Sequence, residues 1–83
     1  FIPNGDRFNE VFAGSFVGVK DIEIEIFNRW GQLVYTSKDL NFEWDGTFRG
    51  QKVQTGTYVW KLSYVPEDRF DREVYTGHVT VLE

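Results

Sequence analysis

An all-β, immunoglobulin-like antiparallel β-sandwich of about seven strands is the fold this sequence predicts, and three observations predict it. Apolar and polar residues alternate with period 2 in several short runs, the pattern of strands with one face in a core. Gly, Asn and Asp punctuate those runs at short intervals, as turn residues do between strands. No segment of ten or more residues carries the i, i+3, i+4, i+7 spacing of an amphipathic helix, so none is assigned.

The elements follow in order. A first strand is expected near Phe8 to Phe12. Between Asp21 and Phe27, Ile22, Ile24 and Ile26 alternate with Asp21, Glu23 and Glu25, the clearest strand of the chain. Asn28-Arg29-Trp30-Gly31 supplies a bend, with Gly31 suited to a positive φ, and Leu33-Val34-Tyr35-Thr36 returns as the second arm of a hairpin. Phe42 to Trp44 forms another short strand, and a small hairpin can turn at Arg49-Gly50. Gly56 to Val65 places Tyr58, Trp60, Leu62 and Tyr64 on one face, which makes it the long central strand. The last strand runs from about Glu73 to Leu82, with Tyr75, Gly77, Val79 and Val81 in one phase. Pro3 and Pro66 fall at an end and in a loop, where a missing N–H breaks no ladder.

Eighty-three residues make one domain. A chain this short buries only roughly 60% of its unfolded surface, so its stability is expected to be modest, on the order of 4 to 12 kcal/mol. Eight Phe, four Tyr and three Trp, 18% of the chain, compensate with large buried rings. With no Cys there is no disulfide framework and no thiol nucleophile. A net charge of -4 with scattered Lys and Arg argues against nucleic acid or an anionic membrane as the main partner. No apolar run is long enough to span a bilayer as a helix. The chain opens at Phe1 with neither Met nor a signal-type segment, so it is expected to be a piece of a longer precursor.

Three blocks carry candidate chemistry. Asn4, Asp6, Asn9 and Glu10 gather side-chain oxygens of the kind that hold Ca2+, although the glycine and distal glutamate of an EF-hand loop are missing. A tight turn at Asn4-Gly5-Asp6 accounts for the same residues without metal. Arg29 beside Trp30 pairs two residue types enriched at binding hot spots, so it is a candidate partner anchor. The alternative is architectural, with Trp30 folded over the end of the sandwich and Arg29 paired to a strand acid. Trp44-Asp45-Gly46 reads as a turn that points Trp44 into the core, and Tyr58 and Trp60 share the inward phase of their strand. A carbohydrate-binding or adhesion surface built on Trp30, Trp44 and Tyr58 is the competing reading, and it needs those rings exposed and coplanar. Catalysis is not expected: His78 stands without Cys, and Ser15, Ser37 and Ser63 lack a nucleophile-elbow setting.

Taken together, Phe1 to Glu10, Ile26 to Gly31, Trp44 to Gly46, Gly56 to Tyr58 and Gly77 to Thr80 make the chain resemble the gliding-motility-associated C-terminal domain family of the Bacteroidota. Those domains are the type B tails of the type IX secretion system. The family's opening Phe-x-Pro-Asn-Gly-Asp-Gly-x-Asn-Asp is altered here, with Arg7-Phe8 for Gly-x and Glu10 for the last Asp, both within the possible ion loop. The resemblance implies a single C-terminal sorting domain over residues 1–83. It implies folding in the periplasm, recognition by the outer-membrane machinery including a partner similar to the PorP/SprF proteins, and delivery of an upstream cargo to the cell surface. Asn4, Asp6, Arg29 and Trp30 are the expected partner-binding residues.

Overall fold

The computed structural model describes residues 12–82, and among them there are eight strands and no helix. They are β1 (Phe12–Ser15), β2 (Val19–Phe27), β3 (Leu33–Ser37), β4 (Asn41–Trp44), β5 (Thr47–Phe48), β6 (Gln51–Lys52), β7 (Gly56–Pro66) and β8 (Glu73–Val81). Every ladder is antiparallel. A four-stranded sheet in the order β3-β2-β7-β8 forms one layer, β1 and β4 pair as the other, and β5 and β6 make a small hairpin. The count exceeds the expected seven because that hairpin, which turns at Arg49-Gly50, adds two strands of two residues each. Of the first expected strand, Phe8 to Phe12, only Phe12 falls within the described residues, where it opens β1.

Register explains the core. Directly paired residues point to the same side of a sheet, so Ile22, Ile24 and Ile26 of β2 share a face with Tyr64, Leu62 and Trp60 of β7. Across β7, Tyr58 meets Val79 and Gly56 meets Val81. The β1–β4 pair lies over this face. Ile24, Ile26, Val34, Phe42, Trp44, Tyr58, Val79 and Val81 form the buried cluster, with Phe12, Phe16 and Trp60 packed against it. Phe42 sits between Phe12 and Phe16, at centroid distances of 5.9 and 6.3 Å, and Trp44 meets Tyr58 edge-on at 5.5 Å. Each such ring withdrawn from water contributes roughly 2 to 3 kcal/mol.

Strict alternation fails at both ends of β2: at its start the β2–β7 pairing jumps from Val19↔Pro66 to Asp21↔Val65, and at its end the partner strand β3 carries an extra residue. The β2–β3 pairing jumps from Ile26↔Tyr35 to Phe27↔Leu33, so Val34 is a bulge residue. Val34 and its neighbour Tyr35 therefore both reach the core.

On the opposite face of the sheet, the β7–β8 loop folds back. Arg72 pairs with Asp21 and donates to Ser63 Oγ at 2.9 Å, which leaves Ser63 buried on a face otherwise rich in charge. Lys20 Nζ lies 4.6 Å from the centroid of the exposed Phe70 ring in the same loop. Because Phe27 pairs with Val59, the turn after β2 emerges beside the start of β7, far from this loop. That end of the sandwich, which also carries the β5–β6 hairpin, holds the candidate site.

Candidate docking site

Asn28 organises the bend. Its Oδ1 accepts hydrogen bonds from Trp30 N at 3.0 Å and Gln32 N at 2.9 Å, and its Nδ2 donates to Gln32 Oε1 at 3.0 Å. Backbone bonds Asn28 N→Gln32 O and Gly31 N→Asn28 O, both 3.0 Å, close the loop. Gly31 adopts φ 81°, the left-handed conformation that a glycine takes at little cost. An Asx-type turn of this kind holds its own backbone without help from the core. It presents Trp30 outward at 68% exposure, and the Arg29 guanidinium stacks on that indole at 4.4 Å.

The lid, the architectural alternative for this bend, is therefore not what forms. Trp30 does not cover the end of the sandwich, and Arg29 packs against its chain neighbour and not against a strand acid. Two causes combine: the carbonyl and side chain of Asn28 satisfy the turn from within, and Tyr58, packed on Trp44, already occupies the space beside Trp30.

Trp30 divides two depressions. One, of about 200 Å³, is lined among others by Gln32, Phe48, Lys52 and Gln54, and a smaller one of about 40 Å³ by Arg29, Gln54, Thr55 and Thr57. Tyr58 forms part of the floor of both, and its hydroxyl donates to Gln54 O at 2.7 Å. Burial pushes the Tyr58 phenol above the usual tyrosine range, with the nearby Arg29 charge acting the other way. Arg49 stacks on Phe48 at 5.0 Å. The cleft is thus aromatic and amide-lined with cations at its edge, suited to gripping a polypeptide segment.

Trp44-Asp45-Gly46 proves architectural. Asp45 Oδ1 accepts from Thr47 N and Thr47 Oγ1 at 3.1 and 2.6 Å, Trp44 Nε1 donates to Thr47 O at 3.0 Å, and Val53 N bonds Gly46 O at 2.9 Å. These bonds fasten the β5–β6 hairpin to the core. Trp44 and Tyr58 are 1% and 5% exposed, so the coplanar exposed rings that a carbohydrate platform needs are not there. Asn4, Asp6, Asn9 and Glu10 lie outside the described residues. Ser15, Ser37 and Ser63 are engaged by Asn41, the Asp39 backbone and Arg72 respectively, none of which is a general base.

Sequence reasoning singled out Arg29 and Trp30 but not Asn28, Phe48, Lys52 or Gln54. An Asn three residues before a Gly was the available signal for Asn28. The others reach the site only through tertiary packing.

The model of the CHU_C type IX secretion signal domain family matches residues 1–81. The chain belongs to that family. Among curated proteins it is similar to Colossin-B of Dictyostelium discoideum, 31% identical over 65 residues, which is 72% of this chain and 2% of that protein. The chain thus spans a small fraction of the length of that relative. No solved structure matches. Membership in CHU_C makes the domain a secretion signal, acting with the type IX machinery in export to the cell surface, and the family is not a catalytic one. No helix among the described residues is long and apolar enough to cross a membrane.

Proposed function

We propose that this CHU_C domain directs an upstream cargo through the type IX system by docking its Trp30 end onto an outer-membrane partner similar to the PorP/SprF proteins, after folding in the periplasm. The observation that supports this reading is an exposed Trp on a bend that its own hydrogen bonds hold in place. A large ring kept in water contributes nothing to folding and gains free energy once a partner covers it. Losing an aromatic anchor of this kind costs about 2 kcal/mol or more in binding, roughly thirtyfold in affinity.

A soluble reporter fused to the chain and expressed in a gliding bacterium tests it. The wild-type tail is expected to carry the reporter to the cell surface, and Trp30→Ala to leave most of it inside while the melting temperature of the domain is unchanged. Equal surface display with Trp30→Ala rules out this end as the docking face. Equal display without any tail rules out the sorting role for this chain.

A further inference from the structure

We infer that the partner segment received by the Trp30 cleft is acidic, an extended peptide carrying Asp or Glu beside one apolar side chain; the inference rests on the docking role proposed above. Charge is the first ground. The chain carries a net charge of -4, yet Arg29 and Lys52 line the two depressions and Arg49 stacks on a ring that lines the larger. The acid closest in sequence to this hairpin, Asp45, spends Oδ1 on the Thr47 backbone and hydroxyl. Among the described residues the ion pairs are Arg69 with Glu73 and Arg72 with Asp21, so none of Arg29, Arg49 and Lys52 is paired with a described carboxylate.

Arg49 supplies a second, independent ground. Its φ of 56° with Gly50 at 82° makes the tip of the β5–β6 hairpin a turn with two consecutive left-handed residues. Asn, Asp or Gly takes the first of those positions with less strain than Arg does. A non-glycine residue held in that conformation points to a role for its side chain. Here the strain sets a guanidinium over Phe48, and stacking on a ring leaves the N–H edge of an Arg free to grip a carboxylate with two bonds. Arg29 on Trp30 repeats the arrangement. An apolar side chain of the partner fits between Trp30 and Phe48 in the larger depression, with carboxylates on either side reaching Arg29, Arg49 and Lys52.

The test separates this inference from the docking role. Arg49→Asn relieves the turn and is expected to raise the melting temperature by a few degrees, roughly 4 °C or more. Combined with Lys52→Gln it is expected to lower surface display of the reporter fusion about tenfold. Arg49→Asn alone is expected to lower display as well, which a purely structural role for Arg49 does not give. Lys61→Gln, on the far side of the sheet, is the charge control and is expected to leave display unchanged. If Arg49→Asn/Lys52→Gln is exported like wild type while Trp30→Ala is not, docking stands and the acidic partner is wrong. If Trp30→Ala is exported too, the docking role itself falls. Purified chain is also titrated with the peptide Glu-Asp-Phe-Glu-Asp, its Lys-Lys-Phe-Lys-Lys counterpart and phosphatidylglycerol vesicles. Preference for the acidic peptide, weakening between 50 and about 200 mM salt, is expected; preference for the basic peptide or for vesicles overturns the inference.

Discussion

Replacing Gly77 with alanine puts a methyl group where the Trp60 indole lies. The two residues face each other across the β7–β8 ladder, and the new carbon would stand 2.5 Å from Trp60 Cε2 and 2.9 Å from Nε1. Favourable carbon contacts begin at about 3.5 Å, so the overlap is roughly 1 Å along one edge of the ring. Trp60 is half-buried and borders an apolar cavity of about 170 Å³ with Phe12, Phe16 and Leu62, so the indole can tilt but not leave without disturbing those rings. Overpacking of this kind costs about 1 to 3 kcal/mol. Removing a glycine from a strand interior returns about 0.5 to 1 kcal/mol. The net expectation is a loss of about 1 to 2 kcal/mol, which lowers the melting temperature by roughly 5 to 15 °C for a domain of this size. Thermal unfolding followed by circular dichroism reads it. The partner variant supplies the internal control: in a Trp60→Leu background the methyl has room, and Gly77→Ala is expected to be neutral or slightly stabilising. The two changes then couple by about 1 kcal/mol or more, as contacting residues do. A Gly77→Ala single variant as stable as wild type, or the same effect in both backgrounds, refutes the steric account of this glycine.

Two other outcomes follow from the site. Asn28→Ala removes the one oxygen that accepts from both Trp30 N and Gln32 N and is expected to cost about 1 to 2 kcal/mol in urea unfolding, with surface display of the reporter falling as the Trp30 bend loosens; normal display would separate bend geometry from docking. Tyr58 is held above its usual range by burial, so the fold favours the neutral phenol. That contribution is complete below the ordinary value of about 10 and is lost as pH rises through the higher folded value. Melting temperatures at pH 7, 9 and 11 are therefore expected to fall at the alkaline end, and less steeply in Tyr58→Phe, which at neutral pH lacks the bond to Gln54 O. Tyr64, raised chiefly by its hydrogen bond with Tyr75, sustains part of the decline. An unchanged alkaline slope in Tyr58→Phe would remove Tyr58 from this account.

The two motif bends of the chain show where sequence is informative and where it stops. The β2 strand was legible because alternation of Ile22, Ile24 and Ile26 with acids has one structural meaning, a face turned to a core. Trp44-Asp45-Gly46 was legible for the same kind of reason: the Asp-Gly turn is local chemistry, and the bonds to Thr47 complete it within three residues. The Val34 bulge was not, since a bulge exists only relative to the register of a neighbouring strand. Asn28-Arg29-Trp30-Gly31 falls between these cases. Its turn is as local as the other, but whether the indole points in or out depends on what already fills the end of the sandwich, and Trp44 packed on Tyr58 decides that from elsewhere in the chain. Phe48 and Lys52 come to the same cleft through a hairpin anchored by Asp45 and Gly46, with Arg49 stacked on Phe48, so the motif that builds the core also carries part of the proposed docking surface. The turn at Trp44 to Gly46 thus links stability to recognition: disturbing Asp45 should move the hairpin and its cations relative to Trp30, even though Asp45 itself lines neither depression.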